Sequence, residues 1–212
     1  LMPGDSNKTY FTAYSPKVKT SGDRYKNKQQ PLFTMRANGE AWRNPFITVF
    51  EPFYGKDNET VKSVEKLISS CTDKNIVLKV VNIDGSEQLI LQGNDCASEV
   101  KNENLMFSGY FGVISFRNNR LDRIYMGQGH KIGYEHVSLE AENDMFSGEL
   151  EMLEGNEAIL KCNAPVNLIL KNSATKEIGL LKDGKKEKLK GKKVGNTMTF
   201  LIPTVNDARL SW

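Results

Sequence analysis

Two groups of residues in this 212-residue chain have types and spacings suited to chemistry. The first lies between Met35 and Phe53. Arg36 leads into a loop containing Gly39 that carries Glu40, Trp42 and Arg43, and a nearly all-apolar run then ends at Glu51-Pro52. A guanidinium pairs with a carboxylate or sulfate through two parallel hydrogen bonds, and an indole offers a flat face to a sugar ring. The same residues also suit a plainer role, with Trp42 packed on a sheet and Arg43 paired with Glu40 at its rim. The second group is His130, Tyr134 and His136. His130 sits in the glycine-rich Gly127-Gln128-Gly129-His130-Lys131, and His136 follows Tyr134 near the start of a strand. Tyr134 and His136 could serve as an acid–base pair; as polar residues on a sheet surface they need no such role. The two histidines, six residues apart, share a face only if the strand between them is continuous. Neither has a cysteine or carboxylate at ligand spacing, so no zinc site is expected, and no cofactor.

The elements that must position these groups read as β-strands. Ile76–Val81 and Gln88–Leu91 flank Asp84-Gly85, which predicts a hairpin. Tyr110–Phe116 and Leu121–Met126 flank Arg117-Asn118-Asn119-Arg120 and predict a second. Further strands are expected at Tyr10–Ala13, Leu32–Arg36, Phe46–Phe50, Glu149–Leu153, Ala158–Cys162, Val166–Leu170 and Met198–Ile202, separated by Gly, Asn, Asp or Pro. Val61, Val64, Leu67, Ile68 and Cys71 fall near helical spacing, but the β-branched content and the surroundings read as strand. Lys17–Gln30 is polar and reads as a surface loop. Many short strands without βαβ alternation predict an all-β fold, an antiparallel β-sandwich of stacked large sheets. The turn Glu154-Gly155-Asn156, followed by Ala164-Pro165, is expected to divide a large sandwich region (1–155) from a small C-terminal β-unit (156–212).

Composition excludes several classes. No stretch approaches the roughly 20 apolar residues of a membrane helix, so no membrane partner is expected. A net charge of +3 is too small to argue for nucleic acid, and aromatics do not interleave the lysines as a nucleic-acid platform requires. There is no phosphate-binding glycine loop and no nucleophile elbow. Cys71, Cys96 and Cys162 are too few and too far apart for a disulfide framework or a CxxC knuckle. Buried free thiols suit them better than one disulfide. The lysine run Lys182–Lys193, punctuated by Asp183-Gly184 and Gly191, suits a solvated hairpin whose charges discourage edge pairing. It also suits screened attraction of an anionic polysaccharide.

Longer stretches carry a resemblance. RANGEAWRNPFITVFEPF (36–53), the segment Val61-Lys62-Ser63-Val64-Glu65 and FSGYFGVISFRNNRLDRIYMGQGHKIGYE (107–135) resemble, in order, the C-terminal β-sheet region of heparinase II/III-like polysaccharide lyases. The opening LMPGDSNKTYF is similar to a sequence within that region, and the likeness covers roughly residues 1–140. It implies an upstream α/α toroid joined to the β-sandwich, and an acidic polysaccharide bound between them. Such enzymes remove the C5 proton of a uronic acid and eliminate the 4-linked sugar. Most catalytic groups belong to the toroid, and the β-segment that supplies a further histidine has no counterpart here. No catalytic residue is therefore carried over, and the chain alone is expected to be inactive. The start Leu1-Met2-Pro3-Gly4-Asp5 is no signal peptide, so the chain reads as the C-terminal portion of a larger protein, periplasmic or secreted, whose signal lies upstream. A non-catalytic carbohydrate-binding or structural β-domain is the other reading.

Overall fold

The computed structural model describes residues 8–14, 31–38, 46–48, 60–67, 72, 74–102 and 104–212. They form seventeen strands and no helix. By internal contacts the chain falls into two units, Leu1–Phe50 and Glu51–Trp212. In the first unit, β1 (Lys8–Tyr14) and β2 (Pro31–Ala37) pair antiparallel with Lys8 opposite Ala37. The strand expected at Phe46–Phe50 does not form over 46–48, where no partner ladder runs alongside and Pro45 brings no N–H; Val49 and Phe50 lie outside the described residues. The loop expected at 17–30 lies outside them too.

The second unit is an antiparallel β-sandwich, as the alternation and turns predicted. One layer contains β14 (Lys185–Lys190), β13 (Glu177–Lys182), β17 (Val205–Ser211), β11 (Glu157–Cys162), β10 (Phe146–Leu153), β8 (Arg120–Tyr134), β7 (Leu105–Arg117), β5 (Glu87–Gly93), β4 (Asn75–Asn82) and β3 (Val61–Lys66), in that spatial order. The other contains β15 (Lys192–Val194), β16 (Thr197–Ile202), β12 (Val166–Lys171) and β9 (Val137–Ala141), which joins the far end of β8; β6 (Val100–Lys101) lies on the start of β7. Residues from 156 onward supply strands to both layers. Val61–Lys66 is a strand, paired to β4 despite its helix-like spacing.

Period-2 alternation builds the core. Ala158, Leu160 and Cys162 of β11, Ile178 and Leu180 of β13, Val166, Leu168 and Leu170 of β12, and Met198, Phe200 and Ile202 of β16 all point inward into one cluster. Both expected hairpins form. The β7–β8 turn puts Asn118 at φ 52° and Asn119 at φ 59°, the paired left-handed geometry of a two-residue turn matched to strand twist. Asn tolerates that region because its short side chain bonds locally.

What makes the two layers is a fold-back in the β7–β8 hairpin. Tyr134 lies opposite Leu105, eleven residues along β7 from Phe116. A straight ladder would hold the Phe116 and Tyr134 rings roughly 36 Å apart. Their centroids are 4.8 Å apart, with planes at 72°. The register slips around Ser108, Gly109, Phe111 and Gly112, leaving Tyr110, Gly127 and His130 unopposed, and such bulges bend a strand sharply. At the corner a Cβ on Gly129 would stand 2.6 Å from both the Gly109 Cα and the Ser108 carbonyl oxygen. Only glycine fits where these two backbones meet.

Cys96 and Cys162 are free thiols; Cys71 lies outside the described residues. Burial pushes both thiols above their ordinary pKa, and the Asp95 charge adds to the effect at Cys96. Cys162 is 4% exposed. Because the thiolate is the reacting form, iodoacetamide near pH 8 should alkylate both more slowly than an open peptide thiol, and buried Cys162 more slowly than half-buried Cys96. Peptide mapping by mass spectrometry checks this; rates equal to free cysteine would contradict the packing around them.

Candidate functional site

The fold-back leaves the sandwich open at one end. There the inner face of one layer emerges as a floor of Leu89, Phe116 and Leu121, bearing Lys79 and Glu87, while Leu105, Tyr134 and the loop residues Asn102, Asn104 and Glu135 rise opposite. The groove between them holds about 450 Å³, within the range of roughly 300–1,000 Å³ typical of small-ligand sites. Its position follows from the ladders. Glu87 opposes Phe116 and Phe116 opposes Leu121, so these three share a row on the inward face. Lys79 opposes Leu89 in the next row.

Three kinds of group face this space. Phe116 and Tyr134 meet edge to face and form an aromatic wall. Lys79 Nζ lies 2.8 Å from a Glu87 carboxylate oxygen, each side chain about one-third exposed (33% and 31%). Asparagines hold the rim. The Asn102 side-chain oxygen accepts the backbone N–H groups of Asn104 (3.0 Å) and Leu105 (2.8 Å), and Glu135 N–H donates to the Asn104 carbonyl (2.6 Å). Those bonds tie the β6–β7 connection to the β8–β9 turn, so the side of the groove that faces the floor is braced within itself. Among the described residues the lining carries one cation, Lys79, and two carboxylates, Glu87 and Glu135, a local charge of −1. An aromatic wall with amide and carboxylate hydrogen-bonding groups suits the hydroxyl-rich face of a sugar ring better than its anionic substituent.

The residues singled out in the sequence separate in space. Tyr134 lies in the groove wall. Among the described residues neither histidine lines it. His130 is a bulged residue at the hairpin corner and faces a separate shallow depression with Glu99, Ser108 and the Lys131–Glu140 ion pair (3.2 Å). His136 is exposed in the two-residue turn between Tyr134 and Val137, where its carbonyl accepts the Lys171 N–H at 2.8 Å. The strand is therefore not continuous from 130 to 136, and the two histidines share no strand face. Arg36 is exposed on β2, opposite Thr9. Glu40, Trp42, Arg43 and Glu51 lie outside the described residues. Among the described residues no three His, Cys, Asp or Glu side chains gather at a common point.

Lys79, Glu87, Asn102, Asn104 and Phe116 were not anticipated. One signal for them was present. Lys79 interrupts the apolar run Ile76–Val81 on the face that carries buried Val77, and a charge at such a position marks a place where the interior meets water.

Residues 61–151 match the family described as the endo-acting ulvan lyase C-terminal domain. Over 148 residues, 67% of this chain, the sequence is 30% identical to an endo-acting ulvan lyase of Formosa agariphila. The aligned part is 18% of that relative's length, so the chain corresponds to a small portion of it. The matched segment is thus similar to the C-terminal domain of a polysaccharide lyase, and every groove residue from Leu67 to Glu135 falls within it.

Proposed function

We propose that this chain is the C-terminal β-sandwich portion of a heparinase II/III-like lyase that cleaves a uronic-acid-containing polysaccharide. The observation that carries this reading is the coincidence of the matched segment, 61–151, with the groove. In the proposed reaction a base takes the C5 proton of the uronate. The electrons form the C4–C5 double bond as the C4–O bond breaks, and the departing sugar oxygen receives a proton. An upstream α/α toroid of the same protein supplies the base, the acid and the groups that neutralise the carboxylate.

The sandwich's share is binding. Phe116 and Tyr134 stack against a sugar ring, while Asn104, Asn119 and the Lys79–Glu87 pair hydrogen-bond its hydroxyls. Arg36, Glu40, Trp42 and Arg43 of the first unit, and Glu51, are assigned to contact with the acidic chain. His130 and His136 serve the sheet surface. The proposed location is periplasmic or secreted.

The test compares this chain with a longer gene product that includes the upstream residues. With ulvan as substrate, the longer protein should produce the ultraviolet absorbance of unsaturated uronate ends. The chain alone should produce none, yet bind the resulting oligosaccharides. Elimination by this chain alone, or saturated hydrolysis products from the longer protein, would overturn the assignment.

A further inference from the structure

The groove is net acidic, so a chain of uronate residues must find its countercharge elsewhere on the molecule. Lys182–Lys193 contains seven lysines and two acidic residues, a local charge of +5 on a chain whose net charge is +3, which leaves −2 for all the rest. The fold concentrates that charge instead of dispersing it. Among the described residues β14 pairs only with β13 and β15 only with β16, so each ends its own layer. Gly191 joins them: a Cβ there would stand 2.6 Å from both the Met198 methyl and the Phe200 ring, so the chain crosses tightly over the core from one layer to the other. Both edge strands thereby meet at one rim, where Lys185, Lys186, Lys188, Lys190, Lys192 and Lys193 are all exposed.

Most of these cations are uncompensated. Lys188 pairs with Glu177 at 3.7 Å. Lys185, Lys186, Lys190, Lys192 and Lys193 make no ion pair among the described residues. On β14, Leu189 packs against the core, so Lys186, Lys188 and Lys190 alternate onto the outer face. Beside them Gly179 opens a shallow depression lined by Lys186 and Ser211 and by Arg209, whose charge is met there by Glu157. Edge lysines also discourage strand-to-strand aggregation, but a few would suffice for that.

We propose that the β14–β15 rim is a second polysaccharide contact, binding the carboxylate or sulfate groups of an acidic chain whose sugar rings occupy the groove. The inference rests on the groove reading above. From β14 to β7 the sheet runs through six strand spacings, about 29 Å at roughly 4.8 Å each. A long polysaccharide reaches both places and a short oligosaccharide reaches one. The linkage raises the effective concentration at the second site, so chain length sets the affinity.

Binding of ulvan and of its short oligosaccharides is measured at low and at raised salt, for the wild-type chain, for K186Q/K190Q/K192Q/K193Q and for the four corresponding Lys→Arg changes. The Gln variant should bind long ulvan about tenfold more weakly at low salt, with a shallower salt dependence, because each lost cation removes one released counterion. Its affinity for short oligosaccharides should not change, and the Arg variant should bind like wild type. All four positions are exposed, so unchanged thermal melting is expected and confirms the fold. Equal binding of long ulvan by the Gln variant would overturn the proposal. So would a loss of the same size for short and long chains, or tighter binding of duplex DNA than of ulvan. Failure of the groove reading shows differently: Tyr134→Ala would leave oligosaccharide binding intact while the Gln variant still lost the polymer.

Discussion

Gly129→Val should lower the melting temperature by about 10 °C and abolish oligosaccharide binding together with it. The substitution places a branched side chain where a single Cβ already meets two backbone atoms at 2.6 Å. Backbone cannot rotate aside as a side chain does, so the corner must open. Overpacking of this kind costs about 3 kcal/mol, near the upper end of its usual range. For a unit of this size that converts to about 10 °C at roughly 2–4 °C per kcal/mol. Opening the corner also separates Phe116 from Tyr134, whose contact depends on the fold-back. Gly155→Ala is the control: nothing lies within 4 Å of its Cβ position, and although its φ of +73° carries some strain, it lies in a turn remote from the corner. It should retain oligosaccharide binding. Calorimetry and titration of both variants decide the matter. A Gly129→Val protein that melts within 2 °C of wild type, a shift under about 1 kcal/mol, would show that the corner is not tightly closed.

Tyr134→Ala should weaken oligosaccharide binding on the order of tenfold, about 1.4 kcal/mol. The ring supplies half of the aromatic wall, and its loss also frees Phe116 from the edge-to-face contact that fixes it. Tyr134→Phe keeps the ring and should bind within about twofold of wild type if stacking, and not the hydroxyl, supplies the affinity. Phe116→Ala should resemble Tyr134→Ala. Equal binding by wild type and Tyr134→Ala, with both folded, would remove the aromatic wall from the site. A loss with Tyr134→Phe as large as with Tyr134→Ala would instead assign the affinity to the hydroxyl.

The parts of this architecture that are local were legible in the sequence, and the parts that depend on bulges were not. Asp84-Gly85, Asn118-Asn119 and Asp183-Gly184 announce their hairpins because left-handed φ values fall on residues that tolerate them. The alternating strands of the core announce themselves by period. Val205–Ser211 shows no regular alternation, because its inward residues are Val205, Ala208 and Leu210; a register slip opposite Leu160 and Cys162 puts three residues where the period expects two. β6 and β15 are two and three residues long, too short to show any period.

The groove escaped for the same reason on a larger scale. Lys79 and Glu87 are neighbours across a predicted hairpin, but their meeting with Tyr134 requires the β7–β8 ladder to fold back, and that depends on where three unopposed residues fall. The glycines at 109, 112, 127, 129 and 133 were visible; their cooperation in one corner was not. The resemblance reached residues 1–140 and the family match covers 61–151, so both include the groove. Neither includes the lysine rim, which is legible from charge alone.

Whether the mouth of the sandwich holds sugar is decided by a nuclear magnetic resonance titration of the isotope-labelled chain with a short ulvan oligosaccharide. The backbone amides of Lys79, Glu87, Asn104, Phe116, Asn119 and Tyr134 should shift together and saturate with one affinity, while those of β14 and β15 stay in place. Shifts confined to the rim or to the Arg36 strand, with the groove amides unmoved at saturation, would contradict sugar binding at the mouth.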